Sequence, residues 1–256
     1  MMIFDLFTKR KKSCMETEIY EQPEIMQTIL DAYINKDSSI NIDIPDGINR
    51  IVLVASGSSY HCARYAAELF GSIAKIEAHA IYSSEFLLEA TIAHEPGVLY
   101  IFITQSGETT DTNSALEKAK EFGVKTLCIT NKENSTIWNA AEYKIACLAG
   151  EEKSIAATKS LTSQLLCATL LVLKFAQNKG IDIYNYILDL KTIPEYLKKT
   201  FDLQPKIKQF ARFLSKYKNI VITADGQSYA LAKEASLKIK ETSYINVISS
   251  ILGEFM

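Results

Sequence analysis

The chain has 256 residues, is 48% hydrophobic and 23% charged, and carries a formal net charge of −2. That is a soluble globular composition, long enough for one full hydrophobic core and part of a second. The near-neutral balance gives no electrostatic footprint for nucleic acid, and the longest apolar stretch, Leu165 to Leu173, is too short to cross a bilayer.

Residues 1–40 read as a lead-in. Their apolar residues precede their charges, the wrong order for a secretory signal. The basic run Lys9–Lys12 reads as a solvated tail, and one helix is predicted from Pro23 to Ile34. Residues 41–180 alternate strand and helix patterns. Strands fall near 51–55, 77–82, 98–103, 124–130 and 143–148; helices fall near 59–74, 84–92, 110–122, 134–141 and 157–179. The alternation predicts an α/β fold of three layers, α-β-α, around a parallel five-stranded sheet.

The last of these helices carries Leu161, Leu165, Leu166, Leu170, Leu171 and Leu173, so it is apolar around much of its circumference. It needs cover from another element or subunit. Residues 181–204 read as a helical connector interrupted by Pro194. Residues 205–256 then repeat the opening order of helix, strand (Asn219–Thr223), loop and helix, followed by an extended stretch from Ile245. This predicts an incomplete second copy of the unit at 40–75 that stops at Met256. A homodimer is expected from the apolar helix and the incomplete second half. The five cysteines have no metal or paired spacing, and Cys128, Cys147 and Cys167 sit in apolar runs, as in a reducing cytoplasm.

Two loops carry the chemistry. The apolar run Val98–Ile103 stops at Thr104-Gln-Ser-Gly-Glu-Thr-Thr-Asp-Thr112, and a helical pattern follows. A strand, a polar loop and a helix N-terminus present free backbone N–H groups and the positive end of a helix dipole. Thr104, Ser106, Thr109 and Thr110 add hydroxyls, and Gly107 is expected to let the backbone approach a ligand. No Lys or Arg lies between Glu95 and Glu117, so a bound anion is held by neutral dipoles, which suits a phosphate monoester. Upstream, Ile51–Ala55 runs into Ser56-Gly57-Ser58-Ser59 and another helix. That loop alone also reads as ordinary turn and capping chemistry. Two such loops at the C-terminal ends of strands in one sheet point to a ligand site.

Residues 104–112 resemble the Ser-Gln-Ser-Gly-Glu-Thr-x-Asp-Thr signature of the sugar isomerase (SIS) domain. Glu151-Glu-Lys-Ser-Ile-Ala-Ala-Thr-Lys-Ser160 resembles the family's Glu-x-x-x-Val-Ala-Ser-Thr-Lys segment. Ile19-Tyr-Glu-Gln-Pro23 is similar to its lead-in helix. Glu234-x-x-x-Lys238-Ile-Lys-Glu241 is similar to the catalytic helix of its two-domain enzymes. These include the isomerase half of glucosamine-6-phosphate synthase, the SIS-type glucosamine-6-phosphate deaminases and the fructosamine-phosphate deglycases. The motifs keep family order over about residues 17–256. The resemblance implies that Ser59, Thr104, Gln105, Ser106 and Thr109 hold a sugar phosphate. It implies that Ser58 and the backbone at Ile155, Ala156 and Ala157 line the sugar. Lys238 would contact hydroxyls and Glu241 would be the base, with no metal and no cofactor.

The chemistry is self-consistent. Aldose–ketose interconversion moves a proton between C1 and C2 through an enediolate, and one helix-borne carboxylate can take and return it. Near Ile239 and Ile245, Glu241 is expected to be raised toward neutrality. Lys238, one turn earlier on the same face, can meet the developing oxyanion. By spacing alone, Glu234, Lys238 and Glu241 equally describe a salt-bridged surface stripe. His61 and His94 are given no catalytic role.

The sequence also departs from the resemblance. Ser56 stands where the synthases commonly have Cys, Thr104 and Ala157 each replace a Ser, and Glu152-Lys153-Ser154 is closer to the deaminase and deglycase branch. Met2 takes the place of a glutaminase nucleophile, and the stop at Met256 omits the ring-opening histidine and the C-terminal lysine. The expected function is therefore an amino-sugar-phosphate isomerase or deaminase without glutaminase. The alternatives are a non-catalytic phosphosugar-binding protein and an inactive truncated remnant. The expected partners are a sugar phosphate and a second copy of the chain, in the cytoplasm, with no nucleic acid and no membrane.

Overall fold

The computed structural model describes residues 12–88 and 95–255. His94, the tail through Lys11 and the far end of the helix expected over 84–92 lie outside the described residues. The lead-in helix α1 (Cys14–Tyr33) starts nine residues before Pro23, because Ser13 caps it by accepting from the Glu16 N–H at 3.1 Å. Pro23 sits inside the helix and is buried. It cannot donate to the Ile19 carbonyl one turn back; the Gln22 side-chain amide does so instead, at 3.0 Å.

Five parallel strands form the central sheet: β1 (Arg50–Ala55), β2 (Glu77–Tyr82), β3 (Val98–Thr104), β4 (Lys125–Thr130) and β5 (Tyr143–Ala146), in the order β2-β1-β3-β4-β5. Side chains alternate across it. Ile51, Leu53, Leu99, Ile101 and Ile103 enter the core under α1, α2 (Gly57–Leu69) and α6 (Lys159–Asn178). Val52, Val54, Val98, Tyr100 and Phe102 enter the core under α3 (Ser83–Leu88), α4 (Thr110–Glu121) and α5 (Thr136–Ala140). The three-layer architecture is as expected.

The apolar helix α6 is covered by α1, α2 and the sheet of its own chain. It is long and apolar enough to cross a membrane by length and composition, yet most of it is buried. Leu166, Leu170, Leu171 and Leu173 are each nearly inaccessible, and burying one contributes about 1.5–3 kcal/mol. Helix α6 therefore gives no argument for a second subunit. Four of the five cysteines are buried; only Cys14 is exposed. Burial pushes the Cys62 thiol up and Cys128 up to about 12; the hydrogen bond with Cys167, together with burial, pushes Cys147 well up.

Beyond the sheet, α7 (Tyr184–Thr200) runs on through Pro194 rather than breaking there. Next come α8 (Gln204–Leu214), β6 (Asn219–Thr223), α9 (Gln227–Ser243), β7 (Asn246–Ser250) and the short α10 (Leu252–Phe255). Strands β6 and β7 are parallel, and α9 packs on α2.

The edge strand β5 is held by one side chain from α1. The Tyr33 hydroxyl donates to the Ala146 carbonyl at 2.9 Å and accepts the Ala146 N–H at 3.0 Å. Tyr33→Phe is expected to cost about 1–3 kcal/mol in urea melts, since it leaves the Ala146 N–H without its partner and the carbonyl with only the weak Cys167 thiol donor.

Candidate functional site

Strands β1 and β3 are parallel neighbours, with Ala55 beside Ile103. The chain leaves β1 toward β2 on one side and returns to β3 on the other, so the strand order reverses between them. Such a switch point opens a crevice at the C-terminal edge of a sheet. Helices α2 and α4 both start there. Their N-cap residues, Ser56 and Thr109, make no side-chain capping bond, so the caps do not occupy the first-turn N–H groups.

A cavity of about 230 Å³ lies at this point. Of the expected residues, Ser58, Ser59, Thr104, Gln105, Ser106, Thr109, Ile155 and Ala157 line it. Ala156 does not; it is buried behind the loop. No Lys or Arg is among the lining residues. Thr104 Oγ1 and Thr109 Oγ1 are 2.9 Å apart, and Ser106 Oγ accepts the Glu108 N–H at 3.1 Å. Gly107 has φ +69°, and a Cβ there would overlap the Ser135 side chain. The glycine therefore also lets the loop pack closely on Ser135, the N-cap of α5.

Seven further residues line it outside the expected set, and three of them, Gln164, Glu152 and Ser154, shape the wall most. Gln164 of α6 is 1% exposed and accepts from Ser59 Oγ at 3.1 Å, while its side-chain NH₂ has no partner. The signal was a polar residue on the buried face of a leucine-rich helix. Glu152 accepts from the Thr158 N–H at 2.8 Å, the Ser160 N–H at 3.2 Å and the Ser160 hydroxyl. Its negative charge thus closes the N-terminus of α6. Ser154 lines the same wall and is held from α1: Glu18 accepts its N–H and hydroxyl and the N–H of Lys153. One turn on, Glu21 pairs with the buried Lys159 at 2.7 Å.

Lys238 and Glu241 are not among the lining residues. Lys238 Nζ lies 2.6 Å from Glu241 and 3.4 Å from Glu234. Glu241 is exposed, so the apolar setting expected beside Ile239 and Ile245 is not there. Glu234 is not part of a surface stripe: it is 7% exposed and sits 2.6 Å from His61 Nδ1 on α2. An ionised carboxylate only accepts, so the Nδ1 proton belongs to His61. Nothing in the sequence placed these two side by side across 173 positions. Burial by itself raises Glu234. The hydrogen bond from His61, the charge of Lys238 and the hydroxyl of Ser58 outweigh burial and hold its carboxyl below the usual 4.5. Through Ser58, this buried carboxylate reaches the cavity wall. Among the described residues no group of three or more His, Cys, Asp or Glu is placed to hold a metal ion.

Residues 47–174 match the SIS domain family. The chain is 36% identical over 245 residues to the glutamine–fructose-6-phosphate aminotransferase (isomerizing) of Campylobacter jejuni, covering 94% of this chain and 41% of that protein. It is 35% identical over 251 residues to the protein of that name from Caldanaerobacter subterraneus, with the same coverage. The chain thus spans about two-fifths of the length of the curated relatives it matches. Among solved structures, the C-terminal domain of glucosamine-fructose-6-phosphate aminotransferase from Francisella tularensis superposes with a TM-score of 0.91 at 29% identity. That match covers 98% of this chain and 73% of that one. A glucosamine-6-phosphate deaminase from Thermotoga maritima shares the fold, with a TM-score of 0.77 at 22% identity over 95% of this chain and 71% of that one.

A carboxylate depressed in the fold contributes stability that is present above its unfolded pKa and is lost as pH falls through its folded pKa. For Glu234 that window lies below about 4.5. Urea melts between pH 3 and 6 should show this acid loss in the native chain and a shallower one in Glu234→Gln; superimposable pH profiles would remove the pair from the account.

Proposed function

We propose that this chain, which belongs to the SIS domain family, binds a sugar phosphate in the cavity between β1 and β3. The carrying observation is the convergence of two uncapped helix N-termini with the hydroxyls of Ser59, Thr104, Ser106 and Thr109, in a cavity that no cation lines. Oriented N–H dipoles suit a phosphate monoester. Gln105 and the unpartnered Gln164 amide supply further polar groups in the same wall. Ser58 and the backbone of Ile155–Ala157 are assigned to the sugar hydroxyls.

The assigned reaction is aldose–ketose proton transfer on a hexose 6-phosphate or its amino-sugar counterpart. Glu241 removes the proton from the carbon beside the carbonyl, Lys238 stabilises the enediolate oxygen, and Glu241 returns the proton to the neighbouring carbon. With an amino group at C2 the same shift yields an imine. Water then adds to the imine carbon and ammonia leaves, which is deamination. A second reading, phosphosugar binding without turnover, is favoured by one observation: Lys238 and Glu241 are paired with each other and lie outside the cavity lining.

Calorimetric titration separates the readings. Fructose 6-phosphate should bind and free fructose should not, and Thr104→Val or Ser106→Ala should each weaken binding about tenfold. Ammonia release from glucosamine 6-phosphate that disappears in Glu241→Gln with binding intact supports the enzyme. Binding without turnover in the native chain leaves the second reading.

We also infer a homodimer. Its support is the exposed apolar stripe Ile207, Phe210 and Phe213 on α8. Light scattering at micromolar concentration should give twice the chain mass, 28.6 kDa each; a monomer would end this reading. The buried thiols fit a reducing compartment such as the cytoplasm.

A further inference from the structure

Loop 151–158 brings Ser154, Ile155 and Ala157 to the cavity with almost no apolar anchor. Ile155 is fully exposed, and Ala156 is the one buried hydrophobic side chain in the loop. A segment so poor in buried apolar contacts opens at little cost unless polar bonds hold it. Glu152 holds its far end against α6. The middle is held from the lead-in helix, by Glu18 on α1. That carboxylate is 4% exposed and accepts the Lys153 N–H at 2.5 Å, the Ser154 N–H at 3.2 Å and the Ser154 hydroxyl. These are charge-assisted bonds in a water-poor setting, the strong kind. The Glu21–Lys159 pair one turn on ties the same helix to the start of α6.

We propose that Glu18 is a positioning residue: it fixes loop 151–158 so that the backbone of Ile155–Ala157 faces the sugar moiety of the ligand. The lead-in helix is then part of the binding site although it does not line the cavity. The assignment of the sugar to this wall rests on the phosphosugar reading above; the hold of Glu18 on the loop does not.

The test uses the 256-residue chain in three forms: native, Glu18→Gln and Glu24→Gln, the last an exposed carboxylate on the same helix. In Glu18→Gln the introduced amide would aim a donor where two N–H groups and a hydroxyl need acceptors. Hydrogen exchange should quicken about tenfold or more at Lys153 and Ser154 in Glu18→Gln, and should not change in Glu24→Gln. Binding of fructose 6-phosphate should weaken about tenfold in Glu18→Gln while inorganic phosphate, which meets only the α2 and α4 end, binds as before. Unchanged loop exchange overturns the proposal. So does an equal loss for both ligands, which would mean general damage to the cavity. If Glu18→Gln does not fold, Ser154→Ala, which removes the hydroxyl contact alone, is read by the same two measurements. If the native chain binds neither ligand while exchange behaves as expected, the phosphosugar reading falls and the loop anchor stands.

Discussion

A phosphate pocket of the kind proposed, with no cation in its wall, depends on geometry in a way that a lysine-lined one does not. A flexible ammonium group follows its ligand, whereas a backbone N–H points where its helix points. Here the dipoles come from α2 and α4, and their direction is set by two adjacent parallel strands. The full burial of β3, the paired hydroxyls of Thr104 and Thr109, and the packing of Gly107 on Ser135 all serve to hold those two helix starts in place.

Carboxylates complete the bracing. Glu18 and Glu234 are buried and Glu152 is half-buried at the cavity wall, and each accepts from a group on a neighbouring element. Glu152 closes the N-terminus of α6, so that dipole is satisfied within the chain while those of α2 and α4 stay available. Glu234 joins α9 to α2 through His61 and touches the cavity wall through Ser58. Removing one member of such a network strands its partners in a poorly solvated place, which is why single changes there weigh more than surface ion pairs.

Much of the fold was legible in the sequence because parallel strands buried on both faces read as continuous apolar runs and helix burial follows a period near 3.6. The run Val98–Ile103 and the leucines of α6 leave little choice of element. Boundaries were harder: the start of α1 rests on Ser13 as a cap, and Pro194 suggested a break that α7 does not have. In the site, the residues of the two Ser/Thr loops were legible because strand, loop and helix follow one another locally. Glu18 and His61 were not, because their meaning lies in partners 136 and 173 positions away. The apolar setting expected for Glu241 failed for a related reason: neighbours along a helix do not determine what covers it from outside.

The distribution of thiols has a practical side. Four cysteines are sealed in the interior, and one, Cys14, stands exposed at the start of the helix that braces the 151–158 loop. A maleimide fluorophore or spin label would attach there without any engineered background. The molecule thus carries a native handle for watching that helix in solution.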